Sequence, residues 1–432
     1  MTFARKGHGG HTIRQRGQGA TYTSQQPGTS ATKPTSVKAL MATESKDLEG
    51  FCPDRLPLEW NLPSHLLTDN FFADHYAAIV SNVKLHVDDM FKVGDLPLQG
   101  SVWIIASESK NRDLEHVIQA IARPSPSDPN PWDGLMMCNV KRIAVMRAVF
   151  MKIYSEGLFS MQLFGADDTQ RQTLVRQDEE FIEHEGFRRS KLRATTVKMM
   201  LAETHGRPPL FWAQVDQFAS KVFKLLHPVL TWIRMTWPKN GTNPSIQSIF
   251  QMIHKDTAYA AWLAVHVRMS PTILNFDWKL PGERYLPSQV ELYPEVYTEH
   301  RREVTERESR EEHHYGVPHP ERNNPKPPTR TARVMISVVP LVQRVTLITS
   351  GNNKEPLGFQ KTTLIAPRVV YYHGLDDDQD DAARFKEGPP RYSSRSLLAR
   401  TACFYSSVCM LILVIVSLIR LSYSENFKNS LN

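Results

Sequence analysis

The chain has 432 residues, 41% of them hydrophobic, with 29 prolines, enough for two domains or for one large body with tails and disordered segments. Its net charge of +7 is local: Arg5, Lys6, Arg14, Arg16, Lys33 and Lys38 all precede the first acidic residue, Glu44, so the remainder is nearly neutral and has no overall bias toward polyanions. Cys52, Cys138, Cys403 and Cys409 form no C-x-x-C pair, which excludes a disulfide framework and a zinc site by pattern and fits a reducing compartment.

Residues 1–50 are rich in Gly, Thr, Ser, Gln and Pro and nearly free of large apolar side chains. Such a segment cannot offset its ordering entropy by burial and reads as a disordered basic arm. It has no continuous apolar h-region, and its glycines argue against an amphipathic transit peptide. Prolines between 51 and 63 suggest an extended lead-in. Phe71, Phe72, Tyr76, Ile79, Val80, Val83 and Val87 then recur at helical steps and predict a helix ending near Gly94. Residues 101–122 predict further helix, interrupted near 108–112.

The clearest helical pattern runs over 139–164. Val140, Ile143, Met146, Phe150, Ile153, Leu158 and Met161 keep to one face, while Lys141, Arg142, Lys152 and Glu156 fall largely to the other. Asn139 is placed to cap it, and the stripe reads as core. Residues 169–201 predict an exposed helix rich in Gln, Glu and Arg. Its basic cluster of Arg188, Arg189, Lys191, Arg193 and Lys198 spreads around the axis and forms no groove-facing stripe.

From 211 to 237 the chain is strongly apolar and aromatic, and Pro228 is expected to kink or break it into a helix pair. Lys221, Lys224 and Arg234 within it argue against a membrane span. Asn243 as N-cap with Pro244 at the first helical position predicts a helix start, continuing to Ser270. Asn240-Gly241-Thr242 matches a glycosylation sequon by pattern only.

Arg147, Val149-Phe150, Glu156-Gly157-Leu158-Phe159 and Leu163-Phe164-Gly165, with the surrounding helix spacing, are similar to uncharacterised helical proteins of filamentous fungi. The resemblance covers about residues 60–275. It implies an all-α domain and brings no activity with it.

Residues 299–332 turn mixed-charge and then Pro-rich, a linker. His313, His314 and His319 within it lack the rigid spacing of a metal site. Val334, Ile336, Val338, Val342, Val345, Leu347 and Val369 to Tyr372 read as short strands, a β-like segment over 333–374. Gly351, Gly358, Lys361 and Thr362 do not have phosphate-loop spacing, which places Lys directly after the second Gly. Asp376, Asp378, Asp380 and Glu387 fall at calcium-loop intervals, but Asp381 occupies the position that needs Gly and Pro389-Pro390 follow. That stretch reads as solvated, part of an acidic then basic juxtamembrane segment over 375–400.

Residues 401–419 carry no charge and are bracketed by Arg400 and Arg420. As a helix they would span roughly 28 Å at 1.5 Å per residue, close to the hydrocarbon thickness of a bilayer. A transmembrane helix over 401–420 with a short tail, 421–432, describes a tail anchor. The preceding Arg391, Arg395 and Arg400 favour a cytosolic N-terminal body by the positive-inside rule.

The expected fold is mainly α: a helical domain over 51–298, the arm, the β-like segment and one C-terminal transmembrane helix. The favoured function is a membrane-held interaction or scaffold protein with an unidentified protein partner and no cofactor or metal. An all-α enzyme is the second reading; His184, Glu185, His205, His254 and Asp256 are the side chains it could draw on, and none is assigned a catalytic role. Nucleic-acid binding through the arm is the least favoured.

Overall fold

In the computed structural model the described residues are 46–96, 101–108, 112–125, 128, 130–183, 186–236, 244–299, 302, 332–349 and 356–374. Most of the arm, nearly all of the 299–332 segment and everything from 375 on, including the apolar run, lie outside them. So do Asn240, Asn243, Cys403, Cys409, His184, Glu185, His313, His314, His319, Gly351 and the Asp376 series.

The described chain is mainly helical with small sheets, and its described residues belong to one unit. The helices are α1 (Asp69–Phe91), α2 (Val102–Glu108), α3 (Arg112–Ile121), α4 (Pro131–Met137), α5 (Asn139–Gly157), α6 (Asp168–Glu180), α7 (Gly186–Met200), α8 (Phe211–Thr236) and α9 (Ile246–Met269). The strands are β1 (Ile273–Asp277), β2 (Val290–Glu291), β3 (Ala332–Val339), β4 (Leu341–Thr349), β5 (Pro356–Ile365) and β6 (Arg368–His373).

α1 lies between α5 and α9, α8 packs along α9, and β3 lies against α5. One antiparallel sheet has the order β1-β4-β5 and a second has β2-β6-β3, with β2 parallel to β6. Pro340 is the single residue between β3 and β4. It has no N–H to continue the ladder, and the chain passes there from one sheet to the other. All eight β3 positions are buried. Met335, Ile336, Val338 and Val339 join the helical core, whereas Ala332 and Val334 meet Tyr297, Val369 and Tyr371 in a smaller cluster. The β segment therefore shares its core with the helices.

Several elements differ from the sequence expectations. The pattern over 139–164 ends as a helix at Gly157, and residues 158–165 turn sharply beneath α8 and α9. Cys138 occupies the N-cap without a side-chain hydrogen bond, while the Asn139 N–H donates to Asp95 Oδ1 at 2.6 Å. Arg142, expected on the polar face, is fully buried. It donates to the main-chain oxygens of Phe91 (3.2 Å), Met136 (2.9 Å), Met137 (3.0 Å) and Gly94 (3.1 Å), to that of Val93, and to Asn139 Oδ1 (3.1 Å). Helix C-termini leave carbonyls without intrahelical partners, and this one guanidinium satisfies those of α1 and α4 together.

Residues 169–201 divide into α6 and α7. Asp167 caps α6 in a reciprocal box with Gln170. The predicted break at Pro228 does not occur: α8 is continuous from Phe211 to Thr236. A helix-interior proline costs about 3 kcal/mol, but Val229, Leu230, Trp232 and Ile233, all buried within the next turn, each return about 1.5–3 kcal/mol on burial. α9 begins one residue after Ser245, whose Oγ accepts from Ser248 N at 3.1 Å, so Ser245 is the cap and Pro244 lies outside the helix.

The lead-in runs along α9, as Asp54 exchanges two main-chain hydrogen bonds with the Gln251 amide (2.7 and 3.0 Å) and Trp262 Nε1 donates to Glu59 O (2.7 Å). Ordered structure begins before position 51, since Leu48 packs on the core and Gln247 Nε2 donates to Asp47 O at 3.0 Å. Gly358, Lys361 and Thr362 are ladder positions of β5, opposite Ile348, Val345 and Arg344. Among the described residues no helix is long and apolar enough to cross a membrane.

Candidate anion pocket

Of the side chains that an enzyme reading drew on, the three that are described, His205, His254 and Asp256, are not brought together. His205 sits in the turn after α7 with φ 52°. His254, buried on α9, places Nε2 2.9 Å from Asp216 Oδ1 of α8, and burial lowers its pKa against the opposing pull of Asp216. Asp256, two residues on, faces α1 instead, with Oδ2 2.8 Å from His86 Nδ1. Burial pushes the Asp256 carboxyl up, and the hydrogen bond to it pushes His86 up. One turn further along α9, Tyr259 Oη lies 2.6 Å from His75 Nδ1. Trp60, Phe71 and Trp262 surround His266, whose Nδ1–H donates to Trp262 O at 2.9 Å. These pairs pin α1, α8 and the lead-in to α9. Among the described residues no three His, Cys, Asp or Glu side chains are grouped to hold a metal ion.

A different set of charges converges where α7 meets the end of α9. A pocket of about 200 Å³ opens there, lined by Gly186, Arg189, Ser190 and Arg193 of α7, by Val267 and Arg268 of α9, by Thr272 with Ile273 and Leu274 of β1, and by Phe159. Local sequence explains why the arginines point inward. Ala194 and Val197 are the buried positions of α7 and seat it on α9, which turns the neighbouring i,i+4 pair Arg189 and Arg193 toward the same junction.

Among the described residues one carboxylate, Asp178 of α6, balances the three guanidinium groups. Arg193 Nη2 donates to its two oxygens at 2.8 and 3.1 Å, and Gln162 Nε2 donates to Oδ2 at 2.9 Å. Arg189 reaches Asp178 at 3.9 Å, a distance of ion pairing without a hydrogen bond. The Nε atoms of Arg189 and Arg193 are both buried with no hydrogen-bond partner. Arg268 donates from Nε to Met161 O (2.8 Å) and from Nη2 to Phe159 O (2.6 Å), which fastens the turn after α5. Burial first, and then the charge of Arg193, lowers its pKa to about 10, so it stays cationic at neutral pH.

The amino end of α7, at Gly186, adds the partially positive end of a helix dipole to the same space. On the far side, the Thr272 hydroxyl is held by Ser270 (2.6 Å) and by Arg344 Nε (3.1 Å). Such a site is electropositive and partly desolvated. Its chemistry is anion recognition: a guanidinium fork matches a carboxylate or phosphate edge-on.

The sequence contains the i,i+4 signal at Arg189 and Arg193. Spread over all five cations of 188–198, that signal gave a scattered cluster; the buried positions Ala194 and Val197 select the two that face inward. Arg268, about eighty residues away in the sequence, carries no local mark of joining them.

No protein-family model, no curated protein and no solved structure matches the chain.

Proposed function

We propose that this chain is a membrane-held interaction protein whose folded body recognises an anionic group in the α7–α9 pocket. The observation that carries the reading is the imbalance at the pocket: among the described residues the guanidinium groups of Arg189, Arg193 and Arg268 converge there with one carboxylate, Asp178, beside them. Membrane attachment rests on the uncharged run 401–419 and its arginine brackets, which lies outside the described residues. Tethering raises the effective concentration of the body near anything presented at that surface.

A thermal-shift titration of the full chain with inorganic phosphate tests the pocket. A ligand that binds only the folded state stabilises it by about 2.7 kcal/mol at a hundred times its Kd. The melting temperature should therefore rise saturably with phosphate and stay flat in chloride of the same ionic strength. In Arg189→Ala the rise should vanish while the starting melting temperature changes little, because among the described residues the carboxylate nearest Arg189 is Asp178, at 3.9 Å. Equal phosphate-induced shifts in wild type and variant would contradict the proposal.

A further inference from the structure

The lining of the pocket is mixed, and the mixture specifies more than an anion. Arg189, Ser190, Arg193 and Arg268 line it together with Phe159, Val267, Ile273 and Leu274. A free inorganic anion would meet the cations and leave the apolar residues against water. Ile273 is only partly buried and lies beside Gly186, so it is open to contact.

The charge balance is also informative. With Asp178 counted, three cations exceed one anion by two among the described residues. A carboxylate would cancel half of that excess, whereas a phosphate monoester carries about −1.5 to −2 at neutral pH and matches it. The volume, about 200 Å³, holds such a head with a few carbons of its substituent and no bulky ring system beside it. The apolar wall is mainly aliphatic, which suits an alkyl chain.

We infer that the α7–α9 pocket binds an alkyl phosphate monoester, with the phosphate between Arg189, Arg193 and Arg268 and the first methylenes against Val267 and Ile273. This rests on the anion reading above and narrows it to one ligand class. Arg189 and Arg193 offer Nη donors to the phosphate oxygens, and Arg268, already fixed by two main-chain carbonyls, contributes charge and its remaining Nη1. Because the arginines are held by α6, α9 and the turn after α5 before any ligand arrives, little ordering cost falls on binding. The same head could come from a soluble alkyl phosphate or from a membrane phospholipid with a monoester head.

The test is a calorimetric titration of the full chain, at one ionic strength, with inorganic phosphate, methyl phosphate, butyl phosphate and pentanoate. Affinity should rise from inorganic to methyl to butyl phosphate, reaching a gain on the order of tenfold for a few buried methylenes. Pentanoate should bind more weakly than butyl phosphate. Ile273→Ser should remove most of the gain with chain length and keep the affinity for inorganic phosphate. The wild-type series stands by itself if that variant does not fold.

Inorganic and butyl phosphate binding equally would overturn the alkyl ligand and leave the anion reading intact, whereas binding of neither would remove both. Pentanoate equal to butyl phosphate would overturn the phosphate head. To separate the sources, butyl phosphate is titrated again in phosphatidylcholine vesicles with and without phosphatidic acid. Competition by phosphatidic acid assigns the lipid, and an unchanged affinity assigns the soluble ester.

Discussion

Arg142 is the side chain whose removal the fold tolerates least. It is fully buried and donates to five main-chain oxygens and one amide oxygen, and its pKa, lowered by burial to about 10, keeps it charged at neutral pH. Arg142→Met matches much of the side-chain length and removes every donor, so the carbonyls at the ends of α1 and α4 lose their partner inside the protein. Destabilisation of about 3–5 kcal/mol is expected, read as a lower urea midpoint with little change in slope. A loss below about 1 kcal/mol would mean that these carbonyls are satisfied in another way. In the sequence Arg142 sits beside Lys141 on what looks like a solvated stripe, and a period of 3.6 cannot distinguish a cation that faces water from one that faces helix ends. The histidine–carboxylate pairs were equally hidden: His254 and Asp256 are near neighbours in the chain, and the turn of the helix sends one to α8 and the other to α1.

Between elements, the His86–Asp256 contact joins α1 to α9 and gives that interface a definite pH response. The pKa of His86 is raised above the usual 6.5, chiefly by its hydrogen bond to Asp256. A group whose folded pKa is raised stabilises fully below its unfolded pKa and loses that contribution as pH climbs through the folded value. The stability advantage of wild type over His86→Gln should therefore be largest below pH 6.5 and shrink as the pH rises above it. Chemical denaturation of both proteins across that range checks the sign, and an advantage that grew with pH would show that His86 is not held as the protonated partner. Element existence was legible where apolar spacing was long and regular, as in α1, α5 and α9. Boundaries were less so. Ser245 rather than Asn243 caps α9, and α8 passes through Pro228 because burial on the following turn outweighs the lost hydrogen bond. β1 and β2 are short and become strands only through partners in β4 and β6, information that no local window contains.

At the scale of the whole molecule, helices and sheets share a core among the described residues, with β3 buried against α5 and β5 touching α1. The strand character of 333–374 was readable from its β-branched residues; its burial under the helices was not, because it depends on contacts with residues some two hundred positions earlier. Membrane attachment is a separate claim with its own test. In alkaline carbonate extraction of cell membranes the full chain should remain in the pellet, while a chain ending at Arg400 should pass to the supernatant. Extraction of both would remove the membrane from the proposal without touching the pocket.

The pocket was half legible, since Arg189 and Arg193 are an i,i+4 pair in plain view and Arg268 is brought to them only by the packing of α7 on α9. Its two partnerless Nε–H groups are also the most direct reporters of its use. The decisive measurement is a nitrogen–proton correlation spectrum of the arginine Nε–H groups, with Arg189 and Arg193 assigned by the signals lost in Arg189→Lys and Arg193→Lys, recorded as inorganic phosphate is added. The expected result is a saturable shift of those two signals at a common midpoint, with the Nε–H of Arg142, buried at the ends of α1 and α4, standing still. If the Arg189 and Arg193 signals stay in place through saturating phosphate, or move no more than those of exposed arginines, the pocket does not bind anions and the proposed function falls with it.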